Sequence, residues 1–205
     1  MRPATFALFA LALLSTGCAA DRFDRARAAS DSGLLLLESV RPIRQSSETD
    51  CGPACLSMAL QPLGVDAPPG EIAKWAATTE RGVSVETLSE AARSFGAEAF
   101  YFQGEPDESA PRGLLNRLKL GRPVIVGLAK PAPFPSRETL QHFEVVVGRW
   151  PAEARWILAD PATGSLRAPP DADFLPAWNA LKRVSIVVIP ETAPGSAPPR
   201  NPPDP

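Results

Sequence analysis

The sequence predicts an α+β domain in which N-terminal helices pack on a mostly antiparallel sheet, and three observations carry that prediction. Between residues 45 and 96, three apolar segments are bounded by helix start and stop signals. From residue 98 onward the pattern changes to short apolar runs separated by turns, with only two further helical stretches. The chain has 205 residues, of which 44% are hydrophobic; that is enough for one full core, and a second domain is not required.

Each element has a local reason. Residues 34–40 form a short apolar run that suits a strand, and Pro42 makes the approach to Gln45 extended. A helix is expected over 53–63, with Asp50 as N-cap, Pro53 at the start and Gly64 as the stop. A shorter helix over 71–77 follows Pro68, Pro69 and Gly70, and a third over 85–95 has Ser84 as N-cap and Gly96 as its end. Downstream, strands are expected at 98–103, 123–128, 141–148, 154–159, 166–168 and 184–189, and helices at 112–120 and 174–181. Prolines 131, 133 and 135 mark 129–139 as a surface loop. The last fifteen residues contain six prolines and cannot bury a core. The expected organisation is therefore a signal segment at 1–17, a tether at 18–33, a domain at 34–190 and a proline-rich disordered tail at 191–205.

Charge excludes some functions. With 21 basic and 23 acidic side chains, net −2, and no dense basic run, neither a nucleic acid nor an anionic membrane surface is implied as partner. No phosphate-binding glycine loop, internal repeat or long apolar span is present in the sequence. No cofactor is called for.

The stretch QSSETDCGPACLSMAL, residues 45–60, puts Cys51 where an irregular segment becomes a helix. Unpaired backbone N–H groups and the positive end of the helix dipole favour the thiolate there, the form that attacks an electrophile. Cys51 is thus a candidate nucleophile. The sequence has one histidine, His142, at the start of an apolar strand, so any imidazole base is that residue. Asp160 closes the next predicted strand; antiparallel pairing of 141–148 with 154–160 would bring it beside His142, where a carboxylate fixes the imidazole tautomer. Gln45, on the loop before the helix, can donate its amide to an oxyanion alongside the Cys51 N–H. Other readings of these residues remain: a buried structural thiol, a Cys51–Cys55 disulfide in an oxidising compartment, a core histidine, or a zinc site from Cys51, Cys55, His142 and Asp160.

The order Gln45, Cys51, His142, Asp160, the phrase DCGPACLSM, the strand opening HFEVVV and the ADP closing the next strand resemble the bacteriocin-processing, double-glycine leader peptidases, a papain-like cysteine protease family. The resemblance covers roughly residues 36–190. It implies a papain-like fold, with Cys51 as nucleophile, His142 as general base and then acid, Asp160 as its orienter and Gln45 as oxyanion donor. Such peptidases are commonly the cytosolic front end of a membrane exporter; this sequence is expected to be a stand-alone, exported version, cleaving a peptide or protein substrate other than a leader through a Cys51 thioester. The alternative is a non-catalytic, peptide-binding accessory of an export system.

The export expectation comes from the N-terminus. Arg2, an apolar stretch over 4–14 too short to span a bilayer, and small residues before Cys18 read as a secretory signal. The run Leu14, Ser15, Thr16, Gly17, Cys18 resembles a bacterial lipoprotein processing box, with the departure that Ser15 stands where leucine is usual. That likeness implies acylation of Cys18 and a lipid-anchored place in the cell envelope, in an outer membrane where there is one, given Ala19 after the cysteine.

Overall fold

The computed structural model describes residues 21–80, 82–109, 111–131 and 139–191. The signal segment, Cys18, most of the proline loop and nearly all of the tail lie outside the described residues. Helices Cys51–Leu60, Pro69–Trp75 and Val85–Ser94 occupy the first half, where the sequence places three helices. The Ser84 hydroxyl accepts from the Thr87 N–H at 3.1 Å, and Gly96, at φ 80°, takes the left-handed conformation that ends the third of these helices.

In chain order we number the helices α1 (Arg25–Ala28), α2 (Cys51–Leu60), α3 (Pro69–Trp75), α4 (Val85–Ser94), α5 (Leu114–Lys119) and α6 (Asp171–Ala180). The strands are β1 (Leu35–Leu36), β2 (Ala97–Gln103), β3 (Val124–Pro131), β4 (Thr139–Trp150), β5 (Arg155–Asp160), β6 (Ser165–Arg167) and β7 (Val184–Pro190). They form one antiparallel sheet in the order β2-β7-β3-β4-β5-β6, with β1 added to the far end of β4. A Cβ at Gly148 would lie 2.4 Å from the Leu35 carbonyl oxygen, so β1 can approach β4 there only because the residue is glycine.

Alternation along the strands sends side chains to two cores. Ile125, Val145, Val147, Ile157, Ala159, Ile186 and Val188 pack against Cys55, Leu56, Met58 and Leu60 of α2 and Leu88, Ala91 and Ala92 of α4. The other face, with Val124, Val126, Leu128, Val146, Trp156 and Leu158, packs against Leu114 and Leu118 of α5 and Phe174 and Trp178 of α6. Helix α2 is buried at every position, which is why its sequence lacks a polar stripe.

Four expectations need correction. The described part of the expected tether is packed on the domain: Phe23 is buried and meets Trp150 edge-on, and Ala28 is fully buried. Too few large apolar residues made that stretch look unstructured, and one phenylalanine and one helical turn are what dock it. The strand expected over 34–40 is hydrogen-bonded only at Leu35–Leu36, because β1 has a neighbour only at the end of β4. The loop at 129–139 is shorter than expected, since β3 and β4 pair out to Pro131 and Thr139. Asp50 makes no side-chain cap on α2 and instead accepts from Ser46 Oγ at 2.6 Å. Pro53, the third residue of the helix, has no N–H for a cap to bind.

Candidate active site

The corner where α2 and β4 begin and β5 ends holds three of the predicted residues. β4 pairs with β5 through Val145 opposite Ala159. Continuing that register places Glu144 across from Asp160 and His142 diagonal to it, within reach of a long side chain. His142 Nε2 lies 2.9 Å from Asp160 Oδ1, and both side chains are buried. With Nε2 turned to the carboxylate, Nδ1 is the ring nitrogen left for Cys51, whose thiol hydrogen-bonds the His142 side chain and the backbone N–H groups of Phe143 and Gly52. The Gly52 N–H, the donor a cap at Asp50 would have used, thus serves the sulfur. Gly52 also lets α2 start this deep: a Cβ there would lie 2.4 Å from Val83 Cγ1 and 3.2 Å from Leu88 Cδ1.

These contacts set the protonation states. Burial opposes ionisation of Cys51, but the hydrogen bonds from His142 and the Phe143 N–H outweigh it and lower its pKa. Burial likewise opposes the His142 cation, yet the bonds to Asp160 and Cys51 raise its pKa to about 9. Asp160 is held at about 2: burial works against its charge, and His142, Lys130 and the Ala162 N–H more than compensate. The Ala162 bond is 3.0 Å, and Thr163 Oγ1 donates to the other carboxylate oxygen at 3.4 Å. The shifts favour a Cys51 thiolate beside a His142 imidazolium, a pair equipped for attack on a carbonyl and for proton delivery to a leaving amine.

Gln45 enters the same corner through its backbone, whose N–H donates to the Pro161 carbonyl at 2.8 Å, next to Asp160. Its side-chain Nε2 donates to the Ser47 carbonyl at 2.7 Å, leaving one amide hydrogen without a partner among the described residues. No described hydrogen bond joins the amide to Cys51. Cys55 is a free thiol, like Cys51, and is fully buried one turn along α2; burial first, and then the neighbouring Cys51, Glu144 and Asp160 charges, push its pKa well up.

The sequence reading missed a second set of charges behind the dyad. Glu144 of β4 is fully buried; Arg167 of β6 and Lys130 of β3 both bond its carboxylate. The available signal was one carboxylate inside the apolar run HFEVVV, which cannot be buried there without cations. His142, Glu144 and Asp160 bring potential ligand atoms within 4.8 Å of one another. The Lys130 ammonium lies between the two carboxylates, 2.8 Å from Glu144 Oε1 and 3.9 Å from Asp160 Oδ1, so a side chain already supplies the cation.

Comparison with known proteins matches the chain to one family and its fold to solved peptidase domains. The Peptidase C39 family model matches residues 39–191. The fold is similar to the peptidase domain of Streptococcus ComA, a bi-functional ABC transporter involved in quorum sensing, with a TM-score of 0.60 at 23% identity over 74% of this chain and 99% of that one. A C39-like peptidase from Bacillus anthracis gives a TM-score of 0.59 at 16% identity, covering 78% and 99%. A double glycine motif protease from an AMS/PCAT transporter, solved with its leader peptide, gives 0.57 at 20%, covering 74% and 92%. At these identities the likeness concerns the fold. The curated proteins contain no match. The family match spans the segment that holds α2 and strands β2 to β7, and it agrees with the resemblance read from DCGPACLSM and HFEVVV: the chain belongs to the peptidase C39 family.

Proposed function

We propose that the protein is a thiol peptidase in which Cys51 attacks a peptide carbonyl, His142 carries the proton and Asp160 orients the imidazole. The observation that carries this reading is the continuous chain of hydrogen bonds from the Cys51 thiol through His142 to Asp160, with Nε2 and Oδ1 at 2.9 Å. Attack by the thiolate sulfur forms a tetrahedral oxyanion. The N–H of Cys51 and the spare amide hydrogen of Gln45 are its donors, and one such donor supplies about 2.7 to 4 kcal/mol in the transition state. His142 then gives its Nδ1 proton to the departing amine, leaving an acyl-Cys51 thioester. Water, deprotonated by the same imidazole, releases the second product and restores the thiol.

The substrate class we propose is a peptide cut after paired glycines; the support is the similarity to a double glycine motif protease solved with a leader peptide, and it narrows the broader peptide substrate expected from the sequence. We further propose that the chain acts outside the cytoplasm, held to the envelope by acylation of Cys18. The supports are the basic, apolar and small-residue pattern of residues 1–17 and the cysteine that follows it. Its substrate would then be met after export or at the exit of an exporter.

The test incubates the purified protein with a peptide bearing a Gly-Gly sequence and with the same peptide carrying Ala-Ala in its place. Mass spectrometry should find cleavage after the second glycine, none with Ala-Ala and none with Cys51→Ala. Binding of the Gly-Gly peptide without cleavage by wild-type protein would replace the enzyme reading with that of a peptide-binding accessory. Metabolic labelling with a palmitate analogue tests the anchor separately, with label expected on wild type and absent from Cys18→Ala.

A further inference from the structure

Glu144 stands two residues from His142 on β4, and its carboxylate is held from two sides. Arg167 grips both oxygens, Nε to Oε2 at 2.7 Å and Nη2 to Oε1 at 2.9 Å. Lys130 places Nζ 2.8 Å from Oε1. That same oxygen lies 3.7 Å from His142 Nε2, so the ring edge that meets Asp160 also faces a second carboxylate just outside hydrogen-bond range. Stability is a weak reason for such a cluster, since well-packed apolar residues often replace buried ion pairs at no loss.

Lys130 and Arg167 are the cations on the Glu144 carboxylate, and Asp21 in turn lies 3.7 Å from Arg167 Nη1. Without the Glu144 charge the Lys130 cation is left beside an imidazole that must itself hold a proton. The groups facing His142 come from every element packed there: Cys51 from α2, Asp160 from β5, Glu144 from its own strand and Lys130 from β3, with Arg167 of β6 acting through Glu144.

We propose that Glu144, clamped by Arg167 and Lys130, is a positioning residue for His142: it offsets the two cations and keeps the imidazole protonated with Nε2 turned toward Asp160. The role deepens the thiol peptidase reading and takes its catalytic meaning from it. The electrostatics of the ring agree with it. Burial and then the Asp160 and Cys51 bonds dominate, and of the smaller influences Lys130 lowers the ring's pKa and Glu144 raises it.

The test needs no substrate, because the chain has a single histidine. Imidazole resonances of histidine-labelled protein, followed by NMR against pH, report His142 alone. Glu144→Gln should lower the titration midpoint by about one pH unit or more, the effect of losing an opposite charge at this range. Lys130→Met, a change at a partly exposed side chain, should raise it. Opposite shifts are what a purely structural role would not produce. Unmoved midpoints, or shifts in one direction, would overturn the proposal; if Glu144→Gln does not fold, Lys130→Met decides alone, an upward shift supporting and no shift refuting. Should the Gly-Gly peptide fail to be cut while the midpoints shift in opposite directions, the peptidase reading falls and the electrostatic role of Glu144 stands.

Discussion

Asp160→Asn removes a charge and leaves an oxygen that can still accept from His142 Nε2, so it separates electrostatics from orientation. In the folded protein Asp160 is held at about 2, against an ordinary 3.8. At about 1.36 kcal/mol per pH unit this corresponds to about 2 kcal/mol of stability. From the other side, His142 is raised from 6.5 to about 9, corresponding to about 3 kcal/mol. These describe one interaction and are not added; the smaller figure is the better measure, because His142 also draws on Cys51.

The sign of each contribution differs. The Asp160 stabilisation is fully present above pH 3.8 and is lost as pH falls through about 2. That of His142 is fully present below 6.5 and is lost as pH rises through about 9. Thermal melts at pH 6 should therefore show Asp160→Asn lower by roughly 4 to 8 °C. Urea midpoints of the two proteins should converge as pH is taken from about 4 toward 2. The thiolate–imidazolium pair persists only up to the pKa of His142, so kcat/KM of the variant should lose its alkaline limb at least about one pH unit earlier. An unchanged limb together with an unchanged melting temperature would refute the assignment of Asp160 as the partner of a charged imidazole.

Three further outcomes are expected. Gln45→Ala should lower kcat on a cleaved peptide by about 100-fold or more with little change in KM, since an oxyanion donor acts in the transition state, and steady-state kinetics separate the two. Gly52→Ala should lower stability by about 1 to 3 kcal/mol in urea titrations, because the added methyl meets Val83 at 2.4 Å and the modest gain in helix propensity does not offset that. Cys55→Ala should keep activity within about threefold of wild type, the substitution removing only a buried sulfur; at about 1.4 kcal/mol per tenfold, a loss of 100-fold would instead mean that α2 has shifted its first turn.

The fold was legible where local chemistry decides it. Ser84 and Gly96 bracket α4 and Gly64 follows the turn after α2, because caps and left-handed glycines act within a few residues. The juxtaposition of His142 and Asp160 was also readable, from strand lengths and the assumption of antiparallel pairing. What escaped was fixed by distant partners. Phe23 docks because Trp150 is there to meet it, β4 extends to Thr139 because β3 extends to Pro131, and Glu144 is tolerated in an apolar strand because Lys130 and Arg167 arrive from two neighbouring strands. The failed cap at Asp50 is informative in the same way. Proline at the third helical position removes one donor and the Cys51 sulfur takes another, a trade that a cap rule read from sequence does not contain.

The most direct test of the account is the rate at which Cys51 is alkylated by iodoacetamide between pH 6 and 7, read at each cysteine by peptide mass spectrometry. An ordinary thiol with a pKa near 8.5 is only about 1% thiolate at pH 6.5. The hydrogen bonds from His142 and the start of α2 predict modification of Cys51 at least about tenfold faster than that, no modification of buried Cys55 in the folded protein, and a fall to the ordinary rate in His142→Ala. Slow labelling of Cys51 in the wild type, or fast labelling that survives His142→Ala, would contradict the thiolate–imidazolium pair on which the proposed chemistry rests.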